Sequence, residues 1–185
     1  MRKLLILLSI IACLFLYISF ALSVDNSITK EDEQAINTLS LASVCEDIVG
    51  DYEKEIECLS ALQASVQNIG EKRTDGLSCP INSDIIEPSD FLSRNYGCCF
   101  DRARFIEKAS RYFGFETRHV FLIQPYKGSS ITNILPLGQL SHAASEILTS
   151  KGWLGVDSNE PFILLSDSDL PTTYRNAINN LDTFP

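Results

Sequence analysis

Three side chains of this sequence have the types and the order that acyl transfer requires: Cys99, His142 and Asp157. Such chemistry needs a sulfur or oxygen nucleophile, an imidazole that takes up its proton, and an acceptor that orients the imidazole. Cys99 lies at the predicted start of a helix, where unpaired backbone N–H groups favour a thiolate over a thiol. His142 and Asp157 lie at the ends of two predicted strands. We therefore expect the three residues to meet at one site.

The elements that must position these residues follow from local periodicity. Residues 99–113 place apolar side chains at helical spacing, and Gly114 is a usual residue just past a helix end. Three stretches have the composition or alternation of strands: residues 117–124, 143–148 and 152–156. A turn over residues 150–152 would join the last two strands as a hairpin. Weaker signals predict a short strand at 163–165 and a helical turn within 174–181.

The stretch before these elements has the pattern of amphipathic helices. Apolar residues recur at steps of three and four over residues 31–69, and Thr29 or Ser27 can cap the first helix. Gly50 interrupts the pattern, so either one kinked helix or two helices are predicted. Residues 70–90 are rich in turn formers and are predicted to form a loop.

Three blocks of sequence around the candidate residues follow one another with ordinary spacings. They are Tyr96–Asp101 (YGCCFD), His142–Ile147 (HAASEI) and Gly152–Asp157 (GWLGVD). These blocks resemble the nucleophile, histidine and aspartate blocks of the transglutaminase-like superfamily of papain-fold thiol enzymes. Residues 113–120 are similar to the link that joins helix and strand in that family. The resemblance covers about residues 95–162.

The resemblance implies a role for each candidate residue. Cys99 is the implied nucleophile rather than Cys98, because the family has one residue between the glycine and the nucleophile. His142 is then the general base and later acid, and Asp157 the orienting carboxylate. The Cys99 backbone N–H would contribute to the oxyanion hole, for which Asn95 and Tyr96 are the nearest polar side chains. The implied fold is α+β, with a papain-like core of helices packed on an antiparallel sheet.

Metal and cofactor sites are not expected. The only histidines are His119 and His142, and no Cys-x-x-Cys pair is present. His119 falls in the middle of a predicted strand and is expected to be structural. Trp153 is expected either in the core or as a cover over the imidazole.

The start of the chain has the pattern of a membrane-targeting segment. A basic start at residues 1–3 precedes 19 uncharged positions from Leu4 to Leu22. Either this is a signal peptide cleaved before Val24, which we favour, or it remains as an anchor, since roughly 20 apolar residues can cross a bilayer. Both alternatives place the rest of the chain outside the cytoplasm, secreted or periplasmic, where disulfides form.

The cysteine count after this leader is odd. Cys45, Cys58, Cys79, Cys98 and Cys99 remain, so two disulfides would leave one thiol. In one straight helix Cys45 and Cys58 would lie about 20 Å apart, beyond the roughly 7 Å that a disulfide allows between Cα atoms. Cys98 is expected to pair with Cys45, Cys58 or Cys79. Without the other blocks, Cys98 and Cys99 would both be interpreted as disulfide partners.

Charge and length limit the organisation and the partners. The 185 residues suffice for one core, and 24 acidic against 15 basic residues argue against nucleic acid and against anionic membrane surfaces. We predict a leader at 1–23, a helical region at 24–75 packed on the core, and a core domain at 76–185. The predicted function is hydrolysis of peptide or amide bonds in a protein or peptide substrate. The alternatives are a transglutaminase or glutamine deamidase, and an inactive envelope binding module.

Overall fold

The computed structural model describes residues 27–69, 71–72, 86–94, 96–123 and 141–179, with Ser9, residues 12–13 and residues 15–17 near the start of the chain. From residue 27 onward its helices are α1 (Lys30–Asn37), α2 (Ala42–Cys45), α3 (Tyr52–Ile69), α4 (Pro88–Arg94), α5 (Cys99–Tyr112) and α6 (Tyr174–Asn179). Its strands are β1 (Glu71–Lys72), β2 (Tyr96–Gly97), β3 (Glu116–Ile123), β4 (Ser141–Thr149) and β5 (Gly152–Val156). The fold is α+β, as predicted.

The main sheet consists of β3, β4 and β5, in that order, with antiparallel neighbours. Its three strands confirm the predicted ones to within two residues, and residues 150–151 form the predicted hairpin turn. In the register, His142 lies opposite Leu122, and Glu146 lies opposite Arg118. Because side chains alternate along a strand, His142 and Glu146 share one face of the sheet, while Ser145 lies on the other.

Helix α5 covers the face of the sheet on which Ser145 lies. The Ser145 hydroxyl is 3.1 Å from the carbonyl oxygen of Ala103 on this helix. Apolar residues of α5 and the sheet, among them Phe105 and Ile147, join α3 residues in one buried cluster. The helix begins and ends where predicted: Asp101 accepts the backbone N–H of Cys98 at 2.8 Å, and Gly114 follows with φ +92.

Three helices, rather than one or two, precede the loop region. Thr29 caps α1, as expected, in reciprocal hydrogen bonds with Asp32. The chain turns between α2 and α3, where Gly50 has φ +103. This turn brings Cys45 and Cys58 to a Cα–Cα distance of 5.0 Å, and they form a disulfide. The two cysteines lie on separate helices, so the separation of about 20 Å expected for one straight helix does not apply.

A buried ion cluster fastens α1 to α5. The Lys108 ammonium, 3% exposed, lies 2.7 Å from Asp32 and 2.6 Å from Glu87. Glu87, just before α4, also binds the guanidinium of Arg104 at 2.7 Å. Two segments far apart in sequence, those of Asp32 and Glu87, are thereby held on one helix.

The predicted loop over residues 70–90 needs correction at both ends. Residues 71–72 pair in parallel with residues 96–97, and α4 begins at Pro88. Proline is common at the first position of a helix, and Asp90 adds an acid to the first turn. The predicted strand at 163–165 is reduced to isolated bridges, Val156 with Ile163 and Leu165 with Pro171.

Several sequence predictions fall outside the described residues. These are most of the leader, the boundary between residues 75 and 76, Cys79, Asn95 and the side chain of Tyr96. Within the part of the chain that the structure describes, no helix is both long and apolar enough to cross a membrane.

Candidate active site

Cys99 is the first residue of α5, and its sulfur is a free, half-buried thiol. The segment before it is tightly constrained. Gly97 lies so close to Phe91 that a Cβ at this position would collide with the aromatic ring, which explains the glycine physically. The buried side chain of Arg102 donates to the Gly97 carbonyl oxygen at 2.6 Å. These contacts fix where the helix starts and hence where the thiol lies.

The neighbouring Cys98 has a different fate, because it is disulfide-bonded. Cys45 and Cys58 are bonded to each other, so neither can be its partner. Its partner lies outside the described residues. The expectation that Cys98 is bonded is confirmed, and Cys99 keeps its thiol.

His142 and Asp157 meet at the end of the β4–β5 hairpin, as predicted. The His142 Nε2 atom lies 2.8 Å from Oδ2 of Asp157. The other carboxylate oxygen accepts the backbone N–H groups of Asn159 and Glu160, each at 2.8 Å. The Ser158 hydroxyl donates to the Ala143 carbonyl oxygen at 2.6 Å, which fastens this turn to β4. The carboxylate is therefore buried and held from both sides.

The imidazole also contacts the thiol, so the three candidate residues form one continuous site. Hydrogen bonding and charge couple His142 to the side chain of Cys99, while Nε2 of the same ring is engaged by Asp157. Backbone hydrogen bonds from Ala143 and Phe100 also act on the thiol and favour its charged form.

These contacts favour an ion pair. The hydrogen bond to Asp157, together with that to Cys99, raises the pKa of His142 to about 10. Burial acts to raise the pKa of the Cys99 thiol, but His142 and the two backbone N–H groups outweigh it and lower the pKa below its ordinary value. The pKa of Asp157 is lowered in spite of its burial, by His142 and the backbone N–H groups that it accepts. The contacts within the site therefore favour the thiolate of Cys99 and the imidazolium of His142 over the neutral pair.

Tyr174 is a member of the site for which the sequence carries no signal. Its hydroxyl donates to Oδ2 of Asp157 at 3.2 Å, and its ring is buried against Gly155. It lies in the polar stretch near the end of the chain, with no motif around it. Only the fold brings it to the carboxylate.

The loop that follows β5 is clamped from the opposite layer of the fold. The Gln63 side-chain amide on α3 donates to the carbonyl oxygens of Asp157, Glu160 and Phe162 at 3.0, 2.7 and 2.7 Å. Its contribution is to hold the loop that carries Asp157.

Trp153 does not cover the imidazole. It pairs with Leu148, six residues along β4 from His142, and the guanidinium of Arg118 lies 4.2 Å from its ring centroid. That part of the expectation is wrong, because the aspartate and the tryptophan occupy opposite ends of β5. His119, by contrast, is inserted between the sheet and α5 and hydrogen-bonds Glu107 at 2.8 Å, as expected of a structural histidine.

Among the described residues, no group of three or more His, Cys, Asp or Glu side chains is arranged to hold a metal ion. The site contains a thiol whose pKa is lowered, an imidazole that acts on it, and backbone N–H groups at the start of α5 that have no partner within the helix. The last are suited to bind negative charge that develops on a carbonyl oxygen.

No protein-family model, no curated protein and no solved structure matches the chain.

Proposed function

We propose that this protein is an exported thiol enzyme with a papain-like, transglutaminase-like core that hydrolyses peptide or amide bonds through an acyl-thioester on Cys99. One observation carries the proposal. A free, half-buried thiol at a helix N-terminus contacts an imidazole that a buried carboxylate holds at 2.8 Å. The order of the three blocks along the sequence agrees with this geometry, because the family that they resemble uses the same residue types.

In the proposed reaction, the Cys99 thiolate attacks the carbonyl carbon of an amide, and the carbonyl π electrons move to oxygen. The Cys99 backbone N–H, at the start of α5, stabilises this oxyanion. The C–N bond then breaks as His142 gives its proton to the leaving nitrogen. A water molecule attacks the thioester while His142 takes a proton from it. Collapse of the second intermediate releases the acid and restores the thiolate and the imidazolium.

Hydrolysis is preferred over transfer to an amine because the described residues pack around one core, which leaves little room among them for a dedicated amine-acceptor site. Export is supported by the Cys45–Cys58 disulfide, since disulfides persist in oxidising compartments.

A cavity lined in part by Tyr174, the hydrogen-bond partner of Asp157, is our candidate for the substrate cleft; Cys99, His142 and Asp157 themselves are not part of its lining. It has a volume of about 530 Å³ and lies between the sheet and α6. Its wall includes Leu122, the cross-strand partner of His142, together with apolar Val120 and Ile178. Arg175, an exposed cation, lies at the same cavity. We therefore expect a substrate segment with an apolar side chain next to an acidic one.

The test uses the purified exported chain without reductant, offered a fluorogenic peptide library and, separately, a glutamine-bearing protein with a labelled primary amine. Cleavage by the wild type and none by Cys99→Ala would support the hydrolase. His119→Ala, which changes a histidine outside the site, is the control and should keep its activity. Amine incorporation that depends on Cys99 would instead favour the transglutaminase alternative.

The binding-module alternative makes the opposite prediction. It requires that Cys99 be unreactive and that no substrate of either kind be turned over. A wild type with an unreactive Cys99 would therefore overturn the enzyme proposal.

A further inference from the structure

We propose that Tyr174 is a positioning residue of the active site: its hydroxyl holds the Asp157 carboxylate in the orientation that engages His142. This inference rests on the proposed function, because it assigns Tyr174 a part in the same thiol–imidazole–carboxylate site. Tyr174 does not contact the thiol and is not a catalytic residue.

Each oxygen of the Asp157 carboxylate has two hydrogen-bond partners. Oδ1 accepts two backbone N–H groups, from Asn159 and Glu160. Oδ2 is shared by His142 Nε2 at 2.8 Å and by the Tyr174 hydroxyl at 3.2 Å. The hydroxyl is thus the second donor on the oxygen that touches the imidazole. Without it, only His142 would fix that oxygen.

Toward the Asp157 carboxylate, the Tyr174 hydroxyl can act only as a hydrogen-bond donor. Its side chain is buried, and burial together with the charge of Asp157 raises the pKa of Tyr174 far above its ordinary value. The phenol therefore stays neutral throughout the range in which the site works. A neutral donor orients the carboxylate without taking the place of the imidazolium as its counterion.

Tyr174 is itself held in place by a backbone hydrogen bond and by close packing. Its backbone N–H donates to Oε1 of Glu146 at 2.8 Å, at the start of α6. The other oxygen of Glu146 accepts Nε of Arg118 at 2.7 Å, and Arg118 lies over Trp153. Gly155 leaves room for two side chains, since a Cβ at this position would lie 2.5 Å from Cδ1 of Leu164 and 3.1 Å from Cε2 of Tyr174.

These contacts explain two block residues that do not touch the thiol. Glu146 belongs to the histidine block and Trp153 to the aspartate block, yet both lie away from Cys99. Through Arg118 and Tyr174 they connect to the carboxylate that orients His142. The network from Trp153 to Asp157 is continuous, because each step is a hydrogen bond or a cation–ring contact.

The experiment compares the pH dependence of Cys99 alkylation by iodoacetamide in the wild type, Tyr174→Phe and Tyr112→Phe. Tyr174→Phe keeps the ring and removes only the hydroxyl. Tyr112→Phe is a matched control, because it removes a hydroxyl that also has a partner at 3.2 Å, Asn37, on an exposed part of the fold. We expect Tyr174→Phe to slow alkylation at pH 6 roughly tenfold, the effect of about one hydrogen bond to a charged group. In Tyr174→Phe, the fall of the alkylation rate on the acid side of the pH profile should occur at higher pH than in the wild type. The profile of Tyr112→Phe should match that of the wild type.

A second variant, Glu146→Gln, keeps the shape of the side chain but weakens its pairing with Arg118. It should shift the acid side of the pH profile in the same direction as Tyr174→Phe, by a smaller amount. Unfolding in urea, measured for each variant, shows that the alkylated protein is folded.

The outcomes separate the two proposals. If the wild type reacts at pH 6 and Tyr174→Phe has the same profile, the role of Tyr174 is overturned and the proposed function stands. If the wild type reacts only above about pH 8, as an ordinary thiol does, the thiolate is absent and both proposals fail.

Discussion

Two histidines of this fold make nearly the same contact, but only one belongs to a site. His119 Nδ1 lies 2.8 Å from Glu107, and His142 Nε2 lies 2.8 Å from Asp157. Each carboxylate is almost fully buried. The differences lie in exposure, with the His119 side chain 14% exposed and that of His142 30%, and in the third partner.

The third partner is an oxygen in one case and a thiol in the other. At the first pair, the Ser145 hydroxyl lies 3.1 Å from Glu107, so it is oriented toward the carboxylate rather than activated by the imidazole. At the second, the Cys99 thiol acts on the imidazole of His142 itself and lies at a helix start. A histidine–carboxylate pair is therefore insufficient evidence of catalysis. The two pairs differ in what the third group engages: Cys99 acts on the imidazole of His142, whereas Ser145 bonds the carboxylate of Glu107.

The sharpest way to break this comparison is to remove each imidazole in turn. His142→Ala should slow the alkylation of Cys99 at pH 6 by roughly 100-fold, because an ordinary thiol is almost wholly protonated at that pH. His119→Ala should change the rate less than twofold. Peptide mass spectrometry of the alkylated protein gives the rate at Cys99 itself. Equal losses in the two variants would contradict the distinction.

Replacing each carboxylate by its amide should have a smaller effect on the thiol. Asp157→Asn should lower the pKa of His142 from about 10 toward its ordinary 6.5, because Asp157 is the main cause of the shift. The imidazolium is then lost as the pH rises through neutrality, and Cys99 alkylation at pH 7.5 should fall by about tenfold, because an ordinary thiol is only about one-tenth ionised at that pH. NMR titration of the two histidines measures this pKa directly. Glu107→Gln, the matched control, should leave the His142 titration in place.

The smallest effect on reactivity is expected at the structural pair, where the loss should appear in stability. Glu107→Ala removes the partner of His119 and one acceptor near Ser145, so the free energy of unfolding should fall by about 1–3 kcal/mol. Urea denaturation measures the loss. Cys99 alkylation should stay within twofold of the wild type, and a loss as large as that of Asp157→Asn would refute the separation of roles.

The parts of the fold that are local in sequence could be predicted from it. Helix α5 and the hairpin follow from periodicity and turn composition, and the hairpin brings residue 142 close to residue 157. The contact between His142 and Asp157 could therefore be predicted from the sequence. The choice of Cys99 over Cys98 came from the family resemblance, and the structure keeps Cys99 as the free thiol.

The remaining features depend on contacts between distant segments. Tyr174 reaches Asp157 only because the chain folds back after β5, where hydrogen bonds from Gln63 hold the loop. The disulfide of Cys45 and Cys58 depends on the turn between α2 and α3, and periodicity alone does not give the angle between two helices. The seven-residue helix α4 is too short to establish a helical period.

The measurement that most directly tests the central claim is the rate of Cys99 alkylation in the non-reduced wild type from pH 4 to pH 9. The account predicts that Cys99 is the residue alkylated in the folded domain and that it reacts at pH 6 nearly as fast as at pH 8. A rate that rises only near pH 8.5, the ordinary pKa of a cysteine thiol, would contradict it. So would a Cys99 found bonded to another cysteine.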